Sequence, residues 1–294
     1  MDAPDDLLQQ RVTALLRKPP VAWQRAHGGY TPAQRWIVSF ADGTSCFVKA
    51  GANAWTADAL RAEYNVYSQV HASFLPHVLG WLDDISSPIL ILEDLSTGHW
   101  PPPWRPGDID AVLELLERVR NLEVSGLPDI RLHLACQNMW PRIEADPEDF
   151  LSVGVASRRW LEECLPNLKA AADEAPFAGD EVVHFDVRSD NLCFEGGRCL
   201  LVDWNHASRG NSALDVVTWL PSLEAEGGPP PEALYPDGGA FAAWMSGYWA
   251  WGVGKPAPPG GPHLRQVQLS QLRSALPWAV RALALPPLDG PNAP

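Results

Sequence analysis

Three oxygen-bearing side chains in the segment VVHFDVRSDNLCFEGGRCLLVDW, residues 182–204, are suited to moving a phosphoryl group: Asp186, Asn191 and Asp203. Such a transfer needs one carboxylate to accept or orient the proton of the attacking hydroxyl, and two further oxygen ligands to hold Mg²⁺ against the phosphates. Asp and Asn also form turns, and Asp203 would suit the end of a strand, so a structural role is the alternative for each residue. Their occurrence together after one apolar strand favours phosphoryl transfer.

A short hairpin predicts how these side chains meet. Two apolar stretches that alternate as strands flank the Gly-Gly pair at 196–197. With a two-residue turn there, the numbers of paired residues sum to 393, so Asn191 faces Val202, one position before Asp203. Asn191 and Asp203 are then able to reach one metal ion. The carboxylate of Asp186, on the loop entering the hairpin, lies near that ion without binding it.

The stretch HFDVRSDN, followed by LLVDW, resembles the signature of the aminoglycoside phosphotransferase family, which includes choline-kinase-like and related small-molecule kinases. The family pattern is His-Gly-Asp-x4-Asn, followed by an Ile-Asp-Trp-like triplet. The resemblance implies that Asp186 is the catalytic base, that Asn191 and Asp203 bind Mg²⁺, and that His184 shapes the loop. It also implies an α+β, protein-kinase-like fold with two lobes.

Two residues depart from the family pattern, and a third extends it. Phe185 stands where the family usually has Gly, which changes the backbone of the loop but removes no chemical group. Asn205 stands where many members have an acidic residue, which alters substrate contacts or the groups behind the metal ligands. Asp215 matches an aspartate that steadies the catalytic loop in the family; its alternative is a carboxylate at a helix N-terminus.

Lys49 and Glu63 are the candidates for gripping the phosphates of a nucleotide. Lys49 lies near the end of the predicted strand SCFVKA, on the same face as Phe47. Glu63 lies on the next helix among apolar residues at helical spacing, so it faces the sheet, and an inward glutamate needs a cation. Lys49 is the obvious partner, although a lysine at a strand end is also commonly just solvated.

Other parts of the nucleotide site rest on weaker signals. Gly28 and Gly29, in HGGYTPAQRW, would let backbone N–H groups approach phosphate, or would form an ordinary hairpin turn. Thr31 would add a hydroxyl contact, and there is no Walker P-loop. In the family, the edge of adenine or guanine binds backbone groups at the hinge, which implies Glu93 to Leu95 here.

The remaining patterns predict a small N-terminal sheet lobe, residues 1–95, and a larger, mainly helical C-terminal lobe, residues 96–294. The proline-rich stretch at 96–104 is a linker, and 226–239 is a loop rich in Pro and Gly. An Asp42-Gly43 turn indicates a hairpin. Predicted helices span residues 5–17, 56–71, 108–124, 157–175, 240–251 and 264–284. Predicted strands span residues 34–40, 44–49, 77–83, 88–93, 182–186, 191–194 and 198–203.

The charge of the chain indicates its partners. The net charge is −14, of which residues 1–95 carry −3 and residues 96–294 carry −11. This surface repels nucleic acid and anionic membranes and favours a cationic small ligand, unless it serves solubility alone. The acidic start lacks a secretory pattern, no apolar run is long enough to span a bilayer, and the five cysteines form no C-x-x-C pair. We therefore expect a cytoplasmic protein.

Two further clusters have alternative explanations. Trp219, Trp244, Tyr248, Trp249 and Trp251 are either core residues or an aromatic wall beside the acceptor, which would suit a cation. The acidic run at 144–149 is either a solvated loop or a rim that attracts an aminated substrate.

These features predict a kinase that uses Mg²⁺ and ATP or GTP to phosphorylate a hydroxyl of a small molecule. The acidic C-terminal part and the family resemblance favour an aminoglycoside-type or basic peptide antibiotic, and hence a resistance function. The alternatives are a metabolic kinase of a sugar, amino alcohol or amino acid, and a non-catalytic, kinase-like ligand-binding module. The complete set of Lys, Glu, Asp, Asn and Asp argues against the last of these.

Overall fold

The computed structural model describes residues 3–26, 31–257 and 263–293. In this part of the chain, five strands form an antiparallel sheet in the order β1-β2-β3-β5-β4. These strands are β1 (Pro20–Arg25), β2 (Gln34–Phe40), β3 (Ser45–Ala50), β4 (Val78–Leu82) and β5 (Ile89–Glu93). Helices α1 (Asp6–Leu16) and α2 (Ala54–Gln69) belong to the same part of the chain. The predicted sheet is therefore present, with β1 as an additional edge strand.

The β2–β3 hairpin has its turn at the predicted Asp42-Gly43 pair. The Phe40 N–H donates a hydrogen bond of 2.9 Å to the Thr44 carbonyl, so three residues form the loop, and Gly43 has a φ of +82°. The side chain of Asp42 accepts a hydrogen bond from the Thr44 N–H. This geometry places Arg35 directly opposite Lys49, because a three-residue loop with glycine in the left-handed region shifts the register from that of a two-residue turn.

The centre of the sheet is apolar because β5 is covered on both faces. Its residues from Ile89 to Leu92 are at most 4% exposed, as expected for a continuous run of branched residues. Helix α2 begins at Ala54, two residues before the predicted start, because Asn53 and Thr56 form a capping box. The helix contributes Leu60 to the apolar core.

After the sheet, the chain is mainly helical, as the sequence predicted. The long helices are α3 (Asp108–Val119), α6 (Arg158–Asp173), α7 (Ala213–Ala225), α9 (Gly239–Val253) and α10 (Leu264–Ala282). Shorter helices are α4 (Trp140–Ala145), α5 (Glu148–Val153) and α8 (Pro231–Leu234). Helix α8 lies within the predicted loop at 226–239. Helix α9 packs closely on its neighbours: a Cβ at Gly247 would lie 2.8 Å from the Trp140 ring.

Two small antiparallel pairs interrupt the helices. Strand β6 (Glu181–Val183) pairs with β9 (Ser208–Gly210), and β7 (Leu192–Glu195) pairs with β8 (Arg198–Leu201). The predicted strand at 182–186 was too long, because Phe185 has a φ of 64° that no strand residue adopts. The β7–β8 pairing, with Leu192 opposite Leu201 and Glu195 opposite Arg198, has the predicted register. Both turn glycines have positive φ, as a two-residue hairpin turn requires.

The structure is thus an α+β fold with an antiparallel sheet followed by a helical part, which confirms the predicted fold class. Within the described ranges, no helix combines the length and the apolar character needed to cross a membrane.

Candidate active site

A cavity of about 980 Å³ lies between the sheet and the helical part and receives side chains from both. Most of the predicted site residues line this cavity. They are Thr31, Lys49, Glu63, Glu93, Leu95, Asp186, Asn191 and Asp203. His184 and Asp215 are buried and bond to the backbone of the loop that carries Asp186. Gly28 and Gly29 lie outside the described residues.

Asp215 anchors the backbone of the loop that carries Asp186. Its carboxylate accepts hydrogen bonds from the backbone N–H of His184, at 2.9 Å, and of Phe185, at 2.7 Å. Burial raises the pKa of Asp215 to about 7, against the opposing effect of these two bonds. Phe185 has a left-handed φ of 64°, which turns the chain sharply just before Asp186. The two bonds to Asp215 thus stabilise a turn that a non-glycine residue rarely adopts.

His184 connects the loop to the end of the β7–β8 hairpin. The side chain is fully buried, which lowers its pKa to about 4, so the ring is neutral. Its Nδ1 accepts a hydrogen bond from the Asp186 N–H at 3.2 Å. The proton therefore resides on Nε2, which donates to the carbonyl of Val202 at 3.0 Å. His184 fixes the backbone at Asp186 relative to the residue before Asp203.

Asn191 orients the Asp186 carboxylate. Its Nδ2 donates to the backbone carbonyl of Asp186 at 2.8 Å and to Asp186 Oδ2 at 3.1 Å. Oδ1 of Asn191 has no donor within the described part of the chain, which leaves an oxygen for a ligand. Arg188 lies 3.5 Å from Asp186 and forms an ion pair with Asp190 at 2.8 Å. Asp186 is thus held by an amide on one side and faces a guanidinium on another.

Lys49 forms two ion pairs. Its Nζ lies 2.7 Å from Glu63 Oε2 and 2.7 Å from Asp203 Oδ1. Burial alone would lower the pKa of Lys49. The carboxylates of Asp203 and Glu63 together have the larger effect, so the pKa of the lysine is raised. Burial would raise the pKa of Asp203, yet Lys49, and to a lesser extent Arg35, lower it to about 2. Both ions are therefore charged at neutral pH.

The oxygen donors beside this network suit Mg²⁺. They are the free amide oxygen of Asn191, the carboxylate of Asp203 and Oδ1 of Asn205, which is buried and has no partner within the described ranges. Among the described residues, no group of three or more His, Cys, Asp or Glu side chains is arranged to hold a metal. Mg²⁺ in kinases needs no such cage, because one or two protein oxygens act together with the phosphates. The donor set fits this ion.

The predicted hinge residues Glu93 and Leu95 line the cavity. The carboxylate of Glu93 binds the Arg198 guanidinium through two hydrogen bonds of 3.0 and 3.1 Å. The carbonyl of Leu95 accepts from the Trp100 indole at 3.0 Å. The N–H of Leu95 has no partner within the described residues, so it is free to donate to a ligand.

Arg35 is a cationic residue of the site that the sequence analysis missed. Its guanidinium donates to the hydroxyl of Thr31 at 2.7 Å and to two backbone carbonyls, of Thr31 at 3.1 Å and of Ala33 at 3.2 Å. It lines the cavity and stands opposite Lys49 in the sheet. Thr31 is therefore positioned by Arg35. The register of the β2–β3 hairpin could have revealed this, because cross-strand partners point to the same face of a sheet.

The aromatic residues divide between the two roles that the sequence left open, which are core residue and wall of the cavity. Trp244, Tyr248 and Trp249 line the cavity. Trp219 is fully buried core, and the Trp251 ring packs against Lys255, whose Nζ lies 5.0 Å from the ring centre.

The acidic run at 144–149 does not reach the cavity. Its carboxylates instead form surface ion pairs, which are Glu144–Lys169, Glu148–Arg158 and Asp149–Lys255.

Known proteins share this architecture. A choline/ethanolamine kinase family protein from Mesorhizobium loti superimposes with a TM-score of 0.61 at 13% identity, over 95% of this chain and 97% of that one. An aminoglycoside phosphotransferase from Alicyclobacillus acidocaldarius gives a TM-score of 0.57 at 14% identity, over 97% and 96% of the two chains. Amicoumacin kinase hAmiN, in complex with AMP-PNP, Ca²⁺ and Ami, gives 0.52 at 11% identity, over 96% and 92%.

These similarities, at such low identity, show the fold. No curated protein matches the chain. The model of the phosphotransferase enzyme family, APH, matches residues 22–252, which is most of the sequence. This match agrees with the resemblance found at residues 184–204. The chain therefore belongs to the phosphotransferase enzyme family, as a kinase that acts on a hydroxyl group of a small molecule.

Proposed function

We propose that this chain transfers the γ-phosphoryl group of ATP, with Mg²⁺, to an alcohol bound against the helical part of the cavity. One observation carries the proposal: Lys49, Asp186, Asn191 and Asp203, which the chemistry requires together, line a single cavity. A non-catalytic binding module would not need all four groups.

Asp186 is the residue that we assign to the acceptor. Its carboxylate, oriented by Asn191 through a 3.1 Å hydrogen bond, accepts or aligns the proton of the attacking hydroxyl. His184 and Asp215 hold the loop backbone, so that the carboxylate keeps its place. Asn191 and Asp203 would hold Mg²⁺, which when bound neutralises charge on the phosphates.

Lys49 is assigned to the nucleotide phosphates, with Glu63 fixing its position. Arg35 on β2, and Thr31 before it, would contact the same phosphates, since both line the cavity. The backbone at Glu93 and Leu95 would bind the edge of the base. ATP is the expected donor, since the similar amicoumacin kinase structure holds AMP-PNP; GTP is the alternative. In this proposal, residues 1–95 form the nucleotide lobe and residues 96–294 the catalytic and acceptor lobe.

Taken alone, the net charge favours an amino-bearing acceptor, such as an aminoglycoside-type or basic peptide antibiotic, and hence a role in resistance. Residues 96–294 carry a net charge of −11, which attracts cations from a distance. The same charge disfavours nucleic acid and anionic membranes as partners. A metabolic alcohol is the second candidate. We place the protein in the cytoplasm, because ATP is abundant there and all five cysteines, each in the described part of the chain, are free thiols.

ADP release measured with Mg²⁺ and ATP or GTP, with and without candidate acceptors, tests this proposal. We expect one class of acceptor to stimulate turnover well above the rate of nucleotide hydrolysis. Asp186→Asn should reduce this rate by about 10²- to 10⁴-fold while calorimetry shows nearly unchanged nucleotide binding. Nucleotide binding without turnover for any acceptor would indicate a binding module instead, and full activity of Asp186→Asn would refute the role of Asp186.

A further inference from the structure

We infer that the acceptor is an alcohol with a bulky apolar ring surface and at most one amine, rather than a polycationic sugar. This inference rests on the proposed phosphotransferase function. It replaces the aminoglycoside-type acceptor that the net charge favours, because it is drawn from the side of the cavity that faces Asp186 and not from the charge of the whole surface.

An apolar wall forms the helical side of the cavity. Helices α9 and α10 and the loop before Asp186 contribute aromatic and aliphatic side chains, which are Phe185, Trp244, Met245, Tyr248, Trp249 and Val267. Aromatic rings bind flat apolar surfaces with little loss of side-chain freedom. An aromatic face can hold a single cation, but the several ammonium groups of a hydrated polycation would lose water to this wall without gaining hydrogen bonds.

Carboxylates are scarce on this side of the cavity. In the described part of the lining, the helical side supplies Asp186, Asp190 and Asp203. Asp203 is bound to Lys49, and Asp190 is bound to Arg188. Residues 258–262, before α10, have the sequence Pro-Pro-Gly-Gly-Pro and thus add no charged side chain. Asp186, which itself lies 3.5 Å from Arg188, is then at most one carboxylate for an amine, whereas each further amine of a polycation would need its own.

Phe185 brings the apolar wall up to the reacting carboxylate. It precedes Asp186 directly, and its ring lies 5.2 Å from the ring of His133 and 6.4 Å from that of Trp244, the latter nearly parallel at 19°. Its φ of 64° is unfavourable for a residue with a β-carbon. An aromatic side chain at such a position provides apolar surface next to the attacked hydroxyl, which a glycine would not.

Three polar groups in the lining beside this wall, Gln268, Gln271 and His133, are neutral. Gln268 accepts a hydrogen bond from Arg265 at 2.6 Å, and Gln271 donates one to Ser222 at 3.0 Å. Burial, aided by the nearby His206, lowers the pKa of His133, which keeps this ring uncharged. These groups can bind hydroxyl and carbonyl oxygens of an acceptor but do not attract several cations.

A panel of acceptors in the ADP-release assay tests this inference on the full chain. Chloramphenicol and erythromycin serve as alcohols with large apolar surfaces, and kanamycin and neomycin serve as polyamines. We expect kcat/KM for the better apolar probe to exceed that for either polyamine by at least about tenfold. Its KM should change little between low and high salt, because little of its binding is ionic. Higher kcat/KM for a polyamine would overturn the inference and leave the phosphotransferase function intact.

A matched pair of variants examines the wall itself. Gln271→Glu adds a carboxylate to the lining while keeping shape, and its partner Ser222 is a neutral hydroxyl that can donate to it. Gln266→Glu adds the same charge to an exposed position on the same helix, outside the lining. We expect Gln271→Glu to raise the KM of the apolar acceptor and to lower that of kanamycin, whereas Gln266→Glu should match the unmodified chain. Equal effects of both variants would contradict the inference.

The inference about the acceptor can be tested even if the proposed phosphotransferase function is wrong. If no probe were phosphorylated, calorimetry with AMP-PNP bound would still measure acceptor affinity. Tighter binding of the apolar probes would support the inference about the wall. Tighter, salt-sensitive binding of the polyamines would reject it.

Discussion

Lys49 donates a 2.7 Å hydrogen bond to Asp203, a residue 154 positions later in the chain. The contact joins β3 of the sheet to the residues that follow the β7–β8 hairpin, across the cavity. A second bond of 2.7 Å joins the same ammonium to Glu63 on α2. The position of one cation therefore depends on both parts of the fold, and the groups proposed for phosphate and metal are already adjacent.

Replacing Glu63 tests how Lys49 is positioned. Glu63→Ala removes one of two partners of a buried ammonium and also the acceptor of the Tyr67 hydroxyl, 3.3 Å away. We expect the free energy of unfolding in urea to fall by about 1–3 kcal/mol. The KM for ATP should rise by about tenfold, equivalent to about 1.4 kcal/mol. Tyr67→Phe keeps the Glu63 carboxylate but removes the hydroxyl, with its bond to Glu63 and its contact with the backbone of Asp203. It is the control and should change KM much less than Glu63→Ala. An unaltered KM in Glu63→Ala would exclude the proposed role.

Removal of the metal and of its proposed ligand should have related effects. EDTA should abolish acceptor phosphorylation, and added Mg²⁺ should restore it. Asp203→Asn weakens an oxygen donor without changing its shape, so the Mg²⁺ concentration for half-maximal rate should rise by at least about tenfold. Asp190→Asn is a suitable control, because Asp190 is a neighbouring carboxylate that binds Arg188. A shift of similar size in both variants would argue against Asp203 as the ligand.

Phe185 has a strained backbone, and its ring forms part of the apolar wall beside Asp186. Its left-handed φ of 64° destabilises the folded state by about 1–2 kcal/mol, and Phe185→Gly would remove this strain. The same change would lose ring contacts worth about 1 kcal/mol. The greater freedom of glycine in the unfolded chain would cost about 0.5–1 kcal/mol more. The net change in unfolding free energy should be under about 1 kcal/mol. The KM of the preferred acceptor should nevertheless rise.

Phe177 provides the matched control for this change. Its ring also contacts Trp244, at 4.9 Å between centroids, but its φ is not positive. Phe177→Gly therefore relieves no strain and should destabilise the protein by about 1.5–2 kcal/mol in urea unfolding, from lost ring contacts and the added freedom of glycine in the unfolded chain. Equal losses of stability in the two variants would show that the Phe185 backbone carries no strain.

Local signals predicted some parts of the site correctly. The Gly-Gly turn at 196–197 sets the register that brings Asn191 next to Val202, because both glycines can adopt the positive φ of a tight turn. Glu63 was predicted to face the sheet from helical spacing alone, and it is 1% exposed. In each case the relevant distance along the chain is short, so periodicity and turn chemistry suffice.

Other parts depend on contacts between distant segments, which no local pattern encodes. Arg35 joins the site through the register of β2 and β3. The division of the tryptophans between core and cavity wall depends on how α9 and α10 pack on each other. The ion pairs that hold the acidic run at 144–149 away from the cavity lie on several helices. Composition alone had left these alternatives open.

His184 and Asp215 should give opposite pH dependences of stability. The pKa of His184 is lowered to about 4, so between pH 4 and 6.5 the unfolded chain binds a proton that the folded chain lacks, and stability rises with pH. The pKa of Asp215 is raised to about 7, so from about pH 4 to pH 7 the folded chain retains a proton that the unfolded chain has lost, and stability falls with pH. In the unmodified protein the two contributions partly cancel.

Single substitutions should separate these contributions. Urea unfolding between pH 4 and 6.5 should show a weaker rise of stability with pH in His184→Gln than in the unmodified protein, because the histidine contribution is lost. Asp215→Asn should show a steeper rise, and a loss of about 1–3 kcal/mol near pH 7, because its amide nitrogen cannot accept a backbone N–H bond. If the rise of stability with pH became weaker in both variants, or steeper in both, then the pKa of at least one of these two groups would not be shifted by burial as described. Since both residues hold the backbone beside Asp186, the same measurements report the stability of the loop on which the proposed chemistry depends.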